Sequence, residues 1–147
     1  MKIKKFEVFV IASLLICTIV GCSQKVSESE VKFSNDKVEN MLLAINNGDY
    51  NNFTKDLSSH SKTVFTEKEV NKTKKTIINK IGNYIPNSKK FSQGTKVSQN
   101  NKKYIVAIYD AKFKNESGKV VITVTFDDDK KHAIEGIYFN SPKLRQK

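Results

Sequence analysis

The feature that most restricts what this chain can fold into is a change of hydrophobic period near Pro86. Before it, apolar residues recur at helical spacing. Val38, Met41, Leu42 and Ile45 fall at i, i+3, i+4 and i+7, between cap candidates Ser34 or Asn35 and a closing Gly48. Asp49 or Tyr50 opens a shorter segment with Tyr50, Phe53 and Leu57 on one face, and Ser58 to Lys62 reads as a loop. Thr66 and Glu69 make a capping box, from which Val70, Thr73, Ile77, Ile78 and Ile81 run to Gly82. After Pro86 the period becomes two. Phe91–Val97 reads as an edge strand, Tyr104–Phe113 as the strongest strand, Val120–Phe126 as strict alternation and His132–Phe139 as the last strand. Short polar turns between them force an antiparallel meander. The expectation is an α+β fold of about three N-terminal helices packed on a curved, mostly antiparallel four-stranded sheet. Its predicted core is Ile77, Ile81, Ile105, Ala107, Ile122, Val124, Phe126, Ile137 and Phe139.

The N-terminus has a different character. Lys2, Lys4 and Lys5 precede a nearly continuous apolar run from Phe6 to Val20, which is shorter than the ~20 residues a membrane span needs. The run ends at Ile19-Val20-Gly21-Cys22, which resembles the lipobox of bacterial lipoprotein precursors, with Ile19 and Val20 where Leu-Ala or Leu-Ser is commoner. That resemblance implies removal of residues 1–21 as a signal peptide and acylation of Cys22. It also implies a domain held at the extracytoplasmic face of the cell membrane. Residues 22–33 then read as a flexible polar tether, and residues 34–145 as a single α+β domain.

Cysteine and charge usage narrow the chemistry. The two cysteines are Cys17, inside the predicted leader, and Cys22, so the processed domain has no thiol for a disulfide, a metal or a nucleophile. Removing the leader takes three lysines and one glutamate and still leaves an excess of nine positive charges, nearly all lysine, with Arg145 the only arginine. Export, scarce arginine and the absence of a recognition motif argue against nucleic acid. Anionic lipid or anionic wall polymer suits the lysines better, and a plain solvated lysine surface accounts for them equally well, since charge speaks to association and not to fold.

Six strings in order carry a second resemblance: Asn47-Gly48-Asp49-Tyr50 ahead of Phe53, Phe65-Thr66-Glu67, Lys80-Ile81-Gly82-Asn83-Tyr84, Tyr109-Asp110-Ala111-Lys112-Phe113, Glu135-Gly136-Ile137-Tyr138-Phe139 and Ser141-Pro142-Lys143-Leu144. Over about Asp36 to Arg145 the chain resembles a family of exported bacterial and archaeal domains of unknown function. These occur as small lipoproteins and ahead of some secreted α/β-hydrolases. The resemblance implies a cystatin-like, nuclear-transport-factor-2-like cone, a curved sheet around a long helix, and brings no catalytic residues. The chain departs from the family pattern at Ser59-His60-Ser61 and carries no appended hydrolase.

By analogy with enzymes of that broad fold, Asp110, Tyr109 and Glu135 are the catalytic candidates, with His132 and Tyr138 behind them. The alternation places Asp110 in phase with Tyr104, Val106, Ile108 and Lys112, which points it to solvent. His132, beside Lys130 and Lys131, is expected at the surface, and Glu135 is expected to pair with a lysine. Asp127-Asp128-Asp129 lacks the spaced oxygen ligands of a calcium loop and reads as a turn, and no metal or cofactor site is readable. The expected function is therefore a membrane-anchored extracytoplasmic lipoprotein acting as a binding or protein-interaction module. Its partners would be membrane lipid through Cys22 and an anionic lipid, wall polymer, small apolar ligand or exported protein. The alternatives are a small hydrolase or isomerase with an acid/base in the cone pocket, and a surface-exclusion or structural lipoprotein.

Overall fold

A computed structural model describes residues 23–146, so the predicted leader and Cys22 lie outside the described residues. The structure corrects the expected architecture. The sheet has five strands, not four, and a strand precedes the helices: β1 (Gln24–Val26), β2 (Lys90–Gln99), β3 (Lys102–Ala111), β4 (Val120–Asp127) and β5 (Ile134–Asn140). They pair in chain order, all antiparallel, which replaces the four-stranded cystatin-like cone with a plain five-stranded meander. The added strand comes from the stretch read as a tether. Gln24 pairs with Lys96 and Val26 with Gly94, so β2 is an inner strand rather than the edge.

Among the described residues five helices accompany the sheet: α1 (Ser34–Asn47), α2 (Tyr50–Thr54), α3 (Ser59–Val64), α4 (Glu67–Ile81) and, after the last strand, α5 (Pro142–Arg145). Their ends follow from local chemistry. The carboxylate of Asp49 accepts from Asn52 N, the hydroxyl of Ser58 from Ser61 N, that of Thr66 from Glu69 N and that of Ser141 from Leu144 N. Gly48 closes α1 in the left-handed region at φ 69°, which glycine adopts without steric cost. Two expectations fail here. Ser58–Lys62 is not a loop, because the Ser58 cap starts α3. Ser34 is not the cap of α1, because a 3-10 turn over Glu28–Val31 runs almost directly into the helix, and the Ser34 hydroxyl donates back to Val31 O at 2.5 Å.

One face of the sheet is closed by the helices. Ile105, Ala107, Tyr109 and Ala111 of β3 and Val120, Ile122, Val124 and Phe126 of β4 are buried against Val38, Met41, Leu42, Ile45, Ile77 and Ile81. All nine predicted core residues are buried. Val26, Val31 and Phe33 join them from the segment ahead of α1. The Phe33 ring stacks on His132 at 3.8 Å and meets Phe126 edge-on at 5.2 Å, so His132 is half-buried rather than on the surface. The alternate phase of the same strands, Tyr104, Val106, Ile108 and Asp110 with Val121, Thr123 and Thr125, stays part-exposed, and Tyr138 is 51% exposed. No described helix is long and apolar enough to cross a membrane.

Candidate functional site

The three candidate residues are delivered to three places. Asp110 and Tyr109 are neighbours on β3 and therefore point to opposite faces. Asp110 lies on the part-exposed face, where Lys119 Nζ approaches its Oδ2 at 2.6 Å. Tyr109 lies on the helix-covered face, fully buried. Glu135 sits at the start of β5, near the opposite end of the sheet from Asp110. No arrangement of Asp110 with Tyr109 or with Glu135 forms a shared site.

Glu135 nevertheless organises the richest polar cluster. Phe126 pairs with Ile134 and Thr125 with Gly136, so Glu135 is the extra residue of a β-bulge, a device that redirects a side chain. The chain before α3 runs along the outer edge of β5, with Ser58 N donating to Ile134 O at 2.9 Å and Ile134 N to Asp56 O at 2.8 Å. This places two serines beside the bulge. Ser58 Oγ donates to Glu135 Oε2 at 2.7 Å, and the single hydroxyl proton of Ser61 is shared between the Glu135 carbonyl at 2.7 Å and Oε2 at 3.1 Å. Lys102 Nζ bridges Glu135 Oε1 and Asp127 Oδ1, each at 2.7 Å.

The electrostatics of Glu135 and Lys102 argue against acid/base work by either of them near neutral pH. Burial opposes the charge on Glu135, but hydrogen bonds from Lys102 and Ser58, one shared with Asp127 and one from Ser61 outweigh it and hold the carboxyl at about 2. Asp127 moves the other way, raised by burial and by the neighbouring Glu135 charge against the pull of Lys102. Lys102 is held protonated by its bonds to Asp127 and then Glu135. A carboxylate stabilised this far is a weak base, and a lysine held positive is no nucleophile. The cluster ties α3 to the sheet.

A second feature was not legible in the sequence. A cleft of about 460 Å³ is lined by Glu28, Asn35, Lys89, Lys90, Phe91 and Tyr109. Tyr109 forms its floor. Ser34 donates its single hydroxyl proton to Val31 O, so the Tyr109 hydroxyl donates to Ser34 Oγ. Burial raises the Tyr109 phenol above its ordinary range, the Ser34 bond opposes this, and the Glu28 charge adds to it. Lys89 Nζ lies 3.6 Å from Glu39 Oε2 and 5.9 Å from the centre of the Tyr109 ring. Glu39 also accepts from Tyr84 Oη and Asn87 N, both at 2.9 Å, so Lys89 and Glu39 are committed to the structure. Tyr84 is pushed up to about 12 by burial and by that bond to Glu39. Lys90 and Glu28, by contrast, are exposed and have no ion pair among the described residues.

Asp127-Asp128-Asp129 is spent on structure. Asp128 pairs with Lys96 at 3.6 Å, and Asp129 accepts from Lys131 N and His132 N at 2.9 and 2.8 Å. Among the described residues no group of histidine, cysteine and carboxylate side chains has the geometry of a metal site. No protein-family model matches the chain, and no curated protein matches it.

Proposed function

We propose that this chain is a lipid-anchored extracytoplasmic lipoprotein whose domain is a binding module, with the Tyr109 cleft as its ligand site. The anchor rests on Ile19-Val20-Gly21-Cys22 behind a cationic and apolar leader. The observation that carries the binding role is the meeting, in one cleft, of the Phe91 ring with two opposite charges that have no ion pair among the described residues. Phe91 gives the cleft a part-exposed aromatic ring above the buried Tyr109, and Glu28 and Lys90 supply charges with no ion pair among the described residues. In a concave site a few convergent polar groups fix the orientation of a small ligand, and most of this lining is polar: Glu28, Asn35, Lys89 and Lys90. Glu135, by contrast, is engaged within the fold by Ser58, Ser61 and Lys102.

The test is a titration of the domain, followed by NMR, with phenylalanine, its methyl ester and N-acetylphenylalanine. These present both charges, the cation alone and the anion alone on one aromatic body. The reading expects shifts at Phe91 and Tyr109 that shrink in Glu28→Gln for the cation or Lys90→Met for the anion. Unmoved Phe91 and Tyr109 signals with all three compounds would remove the cleft from consideration.

A further inference from the structure

We infer that the domain lies directly on the membrane, with the end of the sheet carrying the β2–β3 hairpin and the β4–β5 turn against the lipid headgroups. This rests on the lipoprotein reading of Cys22. Its new ingredient is where folded structure begins. β1 starts at Gln24, so only Ser23 separates it from Cys22. Two residue steps of about 3.3–3.6 Å each cover on the order of 7 Å. A hydrocarbon core of ~30 Å within a bilayer of ~40–45 Å leaves about 5–7 Å of headgroup layer per side. With acyl chains in the core, the cysteine is at the interface and Gln24 is at the headgroup surface. The stretch that a tether would need is used up by β1, the 3-10 turn and the buried Val26 and Val31.

The register decides which end faces the lipid. Gln24 pairs with Lys96 and Val26 with Gly94, so β1 enters from the Lys96 side and runs away from it. On that side β2 continues to Gln99 and turns through Asn100 and Asn101, both at positive φ, into Lys102. Three residues beyond Lys96, at about 3.3 Å each, put that hairpin on the order of 10 Å past the entry point of β1, so the strands lie tilted to the membrane with the hairpin among the headgroups rather than below them. The β4–β5 turn lies at the same end, with Asp128 N donating to Lys103 O at 3.0 Å.

The chemistry of this end fits an anionic lipid surface. Its acidic groups are engaged: Asp127 and Glu135 by Lys102, Asp128 by Lys96, and Asp129 by the amides of Lys131 and His132. Lys25, Lys103, Lys130 and Lys131 are exposed and have no ion pair among the described residues. Lysines so placed are drawn to phosphatidylglycerol-like headgroups. The opposite end also carries exposed lysines, among them Lys112 and Lys114. Charge alone would not choose between the two ends. The short reach to Cys22 does.

The test uses the acylated full-length product reconstituted in phosphatidylcholine vesicles with and without phosphatidylglycerol. With Cys17 in the leader and Cys22 acylated, an introduced cysteine is the only free thiol. A fluorophore is placed at Ser98→Cys, near the hairpin, or at Ser117→Cys, in the β3–β4 turn, both exposed. Headgroup spin-labelled lipid is the quencher. The expected result is several-fold stronger quenching at position 98 than at 117. In the anionic vesicles a Lys103→Glu, Lys130→Glu, Lys131→Glu variant should reduce that ratio at least twofold. Acylated protein that quenches equally at both positions, or more at 117, overturns the docking and leaves the lipoprotein reading standing. A purified product whose Cys22 bears no acyl group by mass spectrometry overturns both. Matching circular dichroism spectra for the labelled variants exclude misfolding as the source of either result.

Discussion

Replacing Glu135 with glutamine keeps the shape of the side chain and removes the charge on which its surroundings depend. The carboxylate accepts from Ser58 at 2.7 Å and Ser61 at 3.1 Å, and Lys102 approaches its other oxygen at 2.7 Å. Lys102 is 48% exposed, so its pair contributes at most about 1 kcal/mol. The amide oxygen of glutamine can still accept from a serine, but as a neutral acceptor worth about 1 kcal/mol rather than the 1.5–3 kcal/mol of a charged one. Some of the loss is returned, because Asp127 is relieved of a neighbouring negative charge. The expected net cost at neutral pH is about 1–2 kcal/mol. The pH dependence is the sharper signature. The folded-state pKa of Glu135 is depressed to about 2, so its contribution is fully present above the unfolded carboxyl value. That value is near 4.3, and the contribution is lost as pH falls from there toward the folded one. Asp127, with a raised pKa, acts in the opposite sense and softens the slope without reversing it. Urea unfolding at pH steps from about 7 to about 2 would show the wild type losing stability along this limb and Glu135→Gln losing less. Equal neutral stability together with parallel acid limbs would refute the reasoning, since Glu135 would then be an ordinary surface carboxylate.

Three further outcomes follow from the packing. Gly136 sits in β5 with open space where a Cβ would be, so Gly136→Thr should raise urea stability by up to about 1 kcal/mol through better strand propensity. At Gly82, φ is +77° and an added Cβ would come within 2.9 Å of Asn115 Cγ and 3.0 Å of its backbone nitrogen. Gly82→Ala should therefore cost about 1–3 kcal/mol, read as a lowered melting temperature. Phe33→Ala removes the ring between His132 and Phe126 and should cost about 2–3 kcal/mol, below the range for a fully buried phenylalanine because Phe33 is only partly buried. A Phe33→Ala protein as stable as wild type would mean that the segment ahead of α1 does not belong to the fold.

What the sequence disclosed, and what it hid, divides along the strength of periodic signals. The stripe Val38-Met41-Leu42-Ile45 and the alternation of Val120–Phe126 repeat often enough to overdetermine α1 and β4, and both appear where the periods place them. β1 has three residues with one apolar side chain, Val26. Its strand state comes from pairing with β2, a partner about seventy residues away, and no local pattern encodes that. The available hint was the spacing of Val26, Val31 and Phe33, single apolar residues in a polar stretch, all of which reach the core. α3 lacks a stripe altogether and depends on the Ser58 cap and the contacts to Glu135. The role of Glu135 required the bulge that places it, which exists only in the pairing of β4 with β5. Tyr109 and Asp110 were separable by period alone, since adjacent strand residues cannot share a face. The cleft was not readable, because Glu28, Asn35, Phe91 and Tyr109 meet only after β2 and β3 have closed behind the 3-10 turn.

The most direct measurement is the intact mass of the protein recovered from the membrane fraction of cells expressing the full chain. A species beginning at Cys22 and carrying a diacylglyceryl group is what the account requires. A protein still beginning at Met1, with an unmodified Cys22 and recovered in the soluble fraction, would contradict it.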